Sequence, residues 1–217
     1  DGPAVFVAAS SVVTYEDFET VIASGLLVVS DVDVGAGSVS AELRVGEGTV
    51  WLTSTAGLAS VGAMPSGAVA FRGALSAVNA ALENVRYRGR THYNGNDTLT
   101  LWVSDEGLSG SGGALNATGS VALVLNAVND RPNLTVIANE TTAEDTQVCL
   151  GGGHVLISDL DDAGSELRLV VETTSGRLWL GGGSAGVSVV SGNGSARVEL
   201  TGTGAALESG VAALCML

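Results

Sequence analysis

At 217 residues the chain is long enough for two modest domains with cores of their own. Its 46% of hydrophobic residues excludes intrinsic disorder. The net charge of −14 argues against nucleic acid and anionic membrane surfaces as partners, because both select cationic patches; divalent cations suit it better.

In chain order, Val5-Phe-Val7 and Val12-Val13 read as pieces of a first strand, followed by the acidic pair Glu16-Asp17. Leu26 to Val29 is a short apolar run ending at Asp31-Val-Asp33, and Gly35-Ala-Gly37 marks a turn. Val39, Ala41, Leu43 and Val45 alternate with polar residues, the period of a half-buried strand. Gly46-Glu-Gly48 then turns the chain into Thr49–Thr53, which predicts a hairpin. Ala68–Phe71 reads as a strand. Leu75, Val78 and Leu82 fall at helical spacing, with Ser76 as N-cap. Val85 and Tyr87 are strand-like, and Tyr93–Asp97 reads as a turn. Thr98–Ser104 alternates again and stops at Asp105-Glu-Gly107. After a Gly/Ser-rich loop over Leu108–Ala117, Ser120–Asn126 is a nearly continuous apolar run. Seven or eight short strands with turns between them predict an all-β, antiparallel β-sandwich of the Ig-like kind.

The pattern then restarts. Glu16-Asp17 returns as Glu144-Asp145, Ser30-Asp31-Val-Asp33 as Ser158-Asp159-Leu-Asp161, and Gly48–Leu52 as Gly176–Leu180, all at an offset of 128. Gly73–Tyr87 returns as Gly202–Met216 at an offset of 129, and Asp1-Gly2-Pro3 echoes Asp130-Arg131-Pro132. Self-similarity at this period is the signature of a tandem array. The expected domains are a complete repeat over 1–129 and a second over 130–217, incomplete because Thr98–Ser104 and Ser120–Asn126 have no counterparts. The expectation is that the natural chain continues, with a strand from a partner as the alternative. Between the repeats, Pro132 fixes its own φ and keeps Arg131 out of the helical region, so the joint is stiff and extended.

No apolar run approaches the ~20 residues of a membrane-spanning helix. The absence of an initiator Met and of a signal-peptide pattern is that of a mature or internal fragment. Five N-glycosylation sequons, at Asn96, Asn116, Asn133, Asn139 and Asn193, point to a secreted eukaryotic protein carrying N-glycans. In that setting Cys149 and Cys215 form a disulfide closing a loop of about 66 residues, worth roughly 4 kcal/mol in the chain-entropy description; two buried thiols are the alternative.

Six stretches together resemble the cadherin-like tandem repeats of giant surface proteins, found in bacterial adhesins and in extracellular proteins of algae. They are Asp31-Val-Asp33-Val-Gly, Gly48–Leu52, Leu75–Tyr87, Asn94–Leu99, Ser104–Gly107 and Asn126–Pro132. The resemblance implies calcium at the joints. One joint would use Asn129, Asp130, Asp159 and Asp161 with Glu16 reaching across; the N-terminal one would use Asp1, Asp31, Asp33 and Asp105. Ca²⁺ takes six to eight oxygens, and clustered carboxylates repel one another until a dication relieves them. The chain departs from the family's pattern in lacking an Asp-Arg-Glu element and in carrying Asp-Arg-Pro at the joint. The alternative role for these residues is capping turns and strand ends.

Other constellations are weaker. Trp51 and Trp179 share a repeat position and read as core residues, with a sugar platform as the alternative. His92 and His154 read as loop or strand-edge residues. Gly151-Gly-Gly153 and Gly181-Gly-Gly183 precede no helix that would make a phosphate cradle. Two His, two Cys and scattered Ser residues assemble no nucleophile–base set, so no enzyme is expected. The sequence reading is a structural or adhesive extracellular segment of a rod or filament, an algal ciliary hair being one setting, whose partners are neighbouring repeats and other filament or surface proteins. A carbohydrate- or cell-surface-binding adhesin module is the alternative.

Overall fold

The computed structural model describes residues 1–107, 113–137, 140–162, 164–182 and 185–217. Two compact units, Asp1–Val128 and Asn129–Leu217, account for it, and both are built mainly of strands. Residues 108–112 of the 108–117 loop, Asn139 and Gly183 lie outside the described residues.

Unit one contains β1 (Ala4–Val7), β2 (Ser11–Tyr15), β3 (Glu19–Val21), β4 (Leu27–Ser30), β5 (Ser38–Arg44), β6 (Gly48–Leu52), β7 (Leu58–Val61), β8 (Ala68–Ala74), α1 (Leu75–Leu82), β9 (Val85–Gly89), β10 (Gly95–Ser104) and β11 (Asn116–Asn126). Six strands form one sheet in the order β2-β11-β10-β5-β8-β7; β3-β9-β6 and β1-β4 form two smaller ones. Period-two alternation points Val39, Ala41 and Leu43 inward from β5, Leu99, Leu101 and Val103 from β10, and Val121, Leu123 and Leu125 from β11. These meet Val50, Leu52, Val85 and Tyr87 from the β3-β9-β6 sheet in one core, each of the residues just named being 3% exposed or less.

Several sequence expectations are corrected. Strands β5 and β6 are not a hairpin: β5 pairs with β8 and β10, whereas β6 pairs with β9. Gly46 and Glu47 carry the chain from one sheet to another, and Asp97 makes that crossing rigid. Its Oδ1 accepts from the Gly46 N–H at 2.8 Å, and its Oδ2 from the Glu47 N–H at 2.9 Å and the Tyr87 hydroxyl at 2.8 Å. Asp97 is thus a strand residue of β10, not a turn residue, and burial together with this carboxylate pushes the Tyr87 hydroxyl pKa well up. The pairing is not wholly antiparallel either. After β1 the chain changes sheets, so β2 arrives beside β11 running in the same direction, with Val13 opposite Val124. Helix α1 is capped at Ala74 with no side-chain bond, so Ser76 is not its N-cap. Trp51 and Trp179 are half-buried, because the inward positions of their strands belong to Val50 and Leu52 and to Leu178.

Unit two contains β12 (Asn133–Val136), β13 (Val148–Cys149), β14 (Val155–Ser158), β15 (Leu167–Glu172), β16 (Leu178–Leu180), β17 (Ser188–Ser191), β18 (Arg197–Gly202), α2 (Gly204–Ala212) and β19 (Leu214–Met216). Its pairings reproduce those of unit one: β12-β14 follows β1-β4, β13-β19-β16 follows β3-β9-β6, and β15-β18-β17 follows β5-β8-β7. Even the isolated bridge Val50↔Ser66 recurs as Leu178↔Ser195. The helix-to-strand contact recurs with altered chemistry. Asn79 of α1 accepts from the Val29 N–H at 2.9 Å and donates to the Val29 carbonyl at 2.8 Å. At the same place Glu208 of α2 accepts from the Ile157 N–H at 2.7 Å.

The Asp97 clasp is testable by denaturation. Asp97→Ala removes the acceptor of the Gly46 and Glu47 N–H groups and of the buried Tyr87 hydroxyl and is expected to lower stability by about 3 kcal/mol, against about 1 kcal/mol for Tyr87→Phe. Equal losses in urea unfolding would show that the crossing does not depend on the carboxylate.

Candidate functional site

The acidic residues fall into loops that follow strand ends. In unit one, β4 ends at Ser30 and the next three residues form an Asx turn, in which the Asp33 N–H donates to Asp31 Oδ1 at 3.0 Å. Asp33 Oδ2 in turn accepts from the Asp1 amino nitrogen. That amino group is held above its ordinary pKa, first by this bond and the Asp33 charge, then by the charges of Asp31 and Asp105. Asp105, at the end of β10 and 3% exposed, accepts with Oδ1 from the Gly107 N–H at 2.9 Å and the Leu115 N–H at 2.8 Å; these two bonds hold its carboxyl below the usual range. The structure therefore brings Asp1, Asp31, Asp33 and Asp105 together. Among them Asp31 Oδ2 is buried without a hydrogen-bond partner among the described residues.

Unit two repeats this wiring. The Asp161 N–H donates to Asp159 Oδ1 at 3.1 Å, and Asp161 Oδ2 accepts from the Asp130 N–H. The sequence reading missed Asp162, whose Oδ1 accepts from the Gly164 N–H at 2.8 Å. Its signal was present, since Asp162 stands where unit one has Val34 and lengthens the acidic run. Asn129 donates its side-chain amide to the Asp130 carbonyl at 2.8 Å.

Glu16 is 2% exposed and turned into its own unit. Its Oε1 accepts from the Val128 N–H at 2.8 Å and its Oε2 from the Asn94 side-chain amide at 3.4 Å. Its neighbour Asp17 has φ of +60°, as Asp145 at the repeated position has +56°. Asp17 Oδ1 accepts from the His92 N–H at 3.0 Å, and its Oδ2 lies 3.2 Å from His92 Nδ1.

Of the sequons, Asn96, Asn116, Asn133 and Asn193 are exposed, Asn193 also accepting from the Leu180 N–H at 2.9 Å; Asn139 lies outside the described residues. Cys149 and Cys215 face each other across β13 and β19 and are joined by a disulfide. Trp102, which the sequence reading passed over, stands 38% exposed on the open face of the six-stranded sheet, above a cleft of about 460 Å³ lined by Glu42, Arg44, Thr100 and Thr118. Beside it Arg72 grips Glu106 with its Nη2 at 2.7 Å and its Nε at 2.9 Å.

No known protein family matches the chain, and no curated protein matches it.

The Arg72–Glu106 pair gives a pH prediction. Arg72, and after it the Ser40 hydroxyl, lower the Glu106 pKa to about 2. The folded value lies below the unfolded value of about 4.3, so the contribution is fully present above that pH and is lost as pH falls toward 2. Glu106→Gln is expected to have a lower urea midpoint than the parent at pH 7, the two converging near pH 2. Parallel curves at every pH would remove the ionised pair from the account.

Proposed function

We propose that the chain is a structural or adhesive extracellular segment of a large surface protein, in which Ig-like, cadherin-like sandwich repeats follow one another along a rod or filament. The observation that carries this reading is the recurrence, at an offset of 128 or 129 residues, of strand pairings and acidic-loop wiring together, down to the bond from residue 1 or 130 onto Asp33 or Asp161. Repeats that copy both their fold and their polar loop are what an array needs, because each unit then offers its neighbour the same surface. The disulfide and the exposed sequons fit an oxidising, extracellular setting.

Calcium is the proposed stiffening ion. What supports it within unit one is that the charges of Asp31, Asp33 and Asp105 all act on the Asp1 amino group, and that one buried oxygen, Asp31 Oδ2, has no partner among the described residues. A hard dication with oxygen ligands would complete that oxygen and offset the mutual repulsion of the cluster. Asp159, Asp161 and Asp162 are the carboxylates of the equivalent loop of unit two. What the ion supplies is loop rigidity.

A second reading, a carbohydrate-binding module, has one observation in its favour, the exposed Trp102 with polar neighbours. An indole face stacks on the C–H face of a sugar while flanking carboxylate, guanidinium and hydroxyl groups take its hydroxyls. Glycan-array binding that disappears in Trp102→Ala would establish it; an array without hits would remove it.

For the calcium reading, millimolar Ca²⁺ is expected to raise the melting temperature by on the order of 5 °C, with the rise abolished by chelator. The rise should be reduced in Asp31→Asn/Asp33→Asn and again in Asp159→Asn/Asp161→Asn. A melting temperature indifferent to Ca²⁺ would assign these residues to turn capping alone.

A further inference from the structure

Strand β15 of unit two pairs with β18 along one edge and with no strand along the other among the described residues. Its equivalent, β5, pairs with β8 on one side and β10 on the other. Leu167, Leu169 and Val171 of β15 are only half-buried, whereas Val39, Ala41 and Leu43 at the same positions of β5 are 0%, 2% and 0% exposed. On β12, Leu134 and Val136 are 53% and 64% exposed. Their equivalents Val5 and Val7 lie under β11, so close that a Cβ on Gly119 would sit 2.5 and 2.8 Å from their methyl groups. A cavity of about 230 Å³ opens on this face, lined among others by Leu134, Ile157, Leu167, Leu169 and Leu207. Val29, Val39, Ala41 and Val78, which match the last four, are closed within one core together with Leu99, Leu101 and Leu123 of β10 and β11.

We infer that this edge and face take up a two-stranded β-hairpin built like β10–β11. Its first strand runs antiparallel to β15, with inward apolar residues opposite Leu169 and Val171, as Val103 and Leu101 stand opposite Ala41 and Leu43. Its second strand covers Leu134 and Val136. A hairpin satisfies both deficits at once. Edge-to-edge pairing with a second copy would saturate the β15 backbone but leave β12 bare, and a small apolar ligand would fill the cavity but leave the backbone N–H and C=O groups unpaired. The turn of the incoming hairpin differs from the 105–115 loop, because Arg131 occupies the place of Gly2, where Leu115 leaves a Cβ only 2.8 Å. The inference rests on the equivalence of the two units and is independent of the calcium reading.

The test compares the 217-residue chain with the same chain followed by a second copy of residues 89–126 that carries Gly at the position copied from Leu115, to leave room for Arg131; the extension places the hairpin at high effective concentration. A control carries that extension with Ser at the positions copied from Leu99, Leu101, Leu123 and Leu125. Amide exchange over Leu167–Glu172 is expected to slow on the order of a hundredfold with the apolar hairpin and not with the Ser control. Unchanged exchange, equal slowing by both extensions, or dimers of the unextended chain that already protect β15 would each overturn the proposal.

Discussion

The structure depends on what covers the β5 edge and the face beside it. A strand whose alternate residues are Val39, Ala41 and Leu43 has two needs, water-free contact for its side chains and partners for its backbone. Strand β10 meets both, and β11 extends the cover to Val5 and Val7 of β1. The consequence is a large core in unit one, whereas among the described residues the core cluster of unit two is Leu178, Val198, Leu200, Leu207 and Leu214 with half-buried neighbours. The same sequence pattern thus gives two degrees of burial, and the difference traces to two strands.

Polar groups organise what the core leaves unspecified. Asp97 stands at 7% exposure with donors from two distant stretches, Gly46-Glu47 and Tyr87, converging on it, and a buried carboxylate is tolerated when its oxygens are so engaged. It fixes the passage between sheets, which glycines at 46 and 48 make sterically easy but do not direct. Asn79 performs a comparable task between helix and strand, using both ends of its amide where Glu208, an acceptor only, can supply a single bond.

Much of the all-β architecture was legible in the sequence because period-two alternation reports which face is buried, and the repeat reports which elements are equivalent. Pairing was less legible. The run Val39–Val45, a glycine turn and Thr49–Thr53 satisfies the local rules for a hairpin, yet the two strands part to different sheets. The carboxylate that directs that separation lies some fifty residues away in sequence, beyond the reach of a local pattern. Likewise the parallel β2–β11 pair follows from a change of sheet after β1 that no single residue announces. The acidic loops were legible as clusters because Asp-x-Asp repeats at a fixed offset. Asp162 was missed because the comparison favoured positions identical in both copies, and a carboxylate present in one copy alone breaks that rule. Trp102 was missed for the same reason, having no counterpart in the second repeat.

The two roles considered for the acidic loops, turn capping and ion binding, use different oxygens of the same groups. In unit one Asp31 gives Oδ1, Asp33 gives Oδ2 and Asp105 gives Oδ1 to nitrogen donors of the loop. Those bonds fix each carboxylate's orientation before any ion arrives, which lowers the entropy cost of assembling a coordination shell. They also leave one oxygen, Asp31 Oδ2, buried and unpartnered among the described residues. Capping requires the Oδ1 of Asp31, and the second oxygen that comes with it is left buried at a cost of about 1–3 kcal/mol, which a cation at that oxygen would offset.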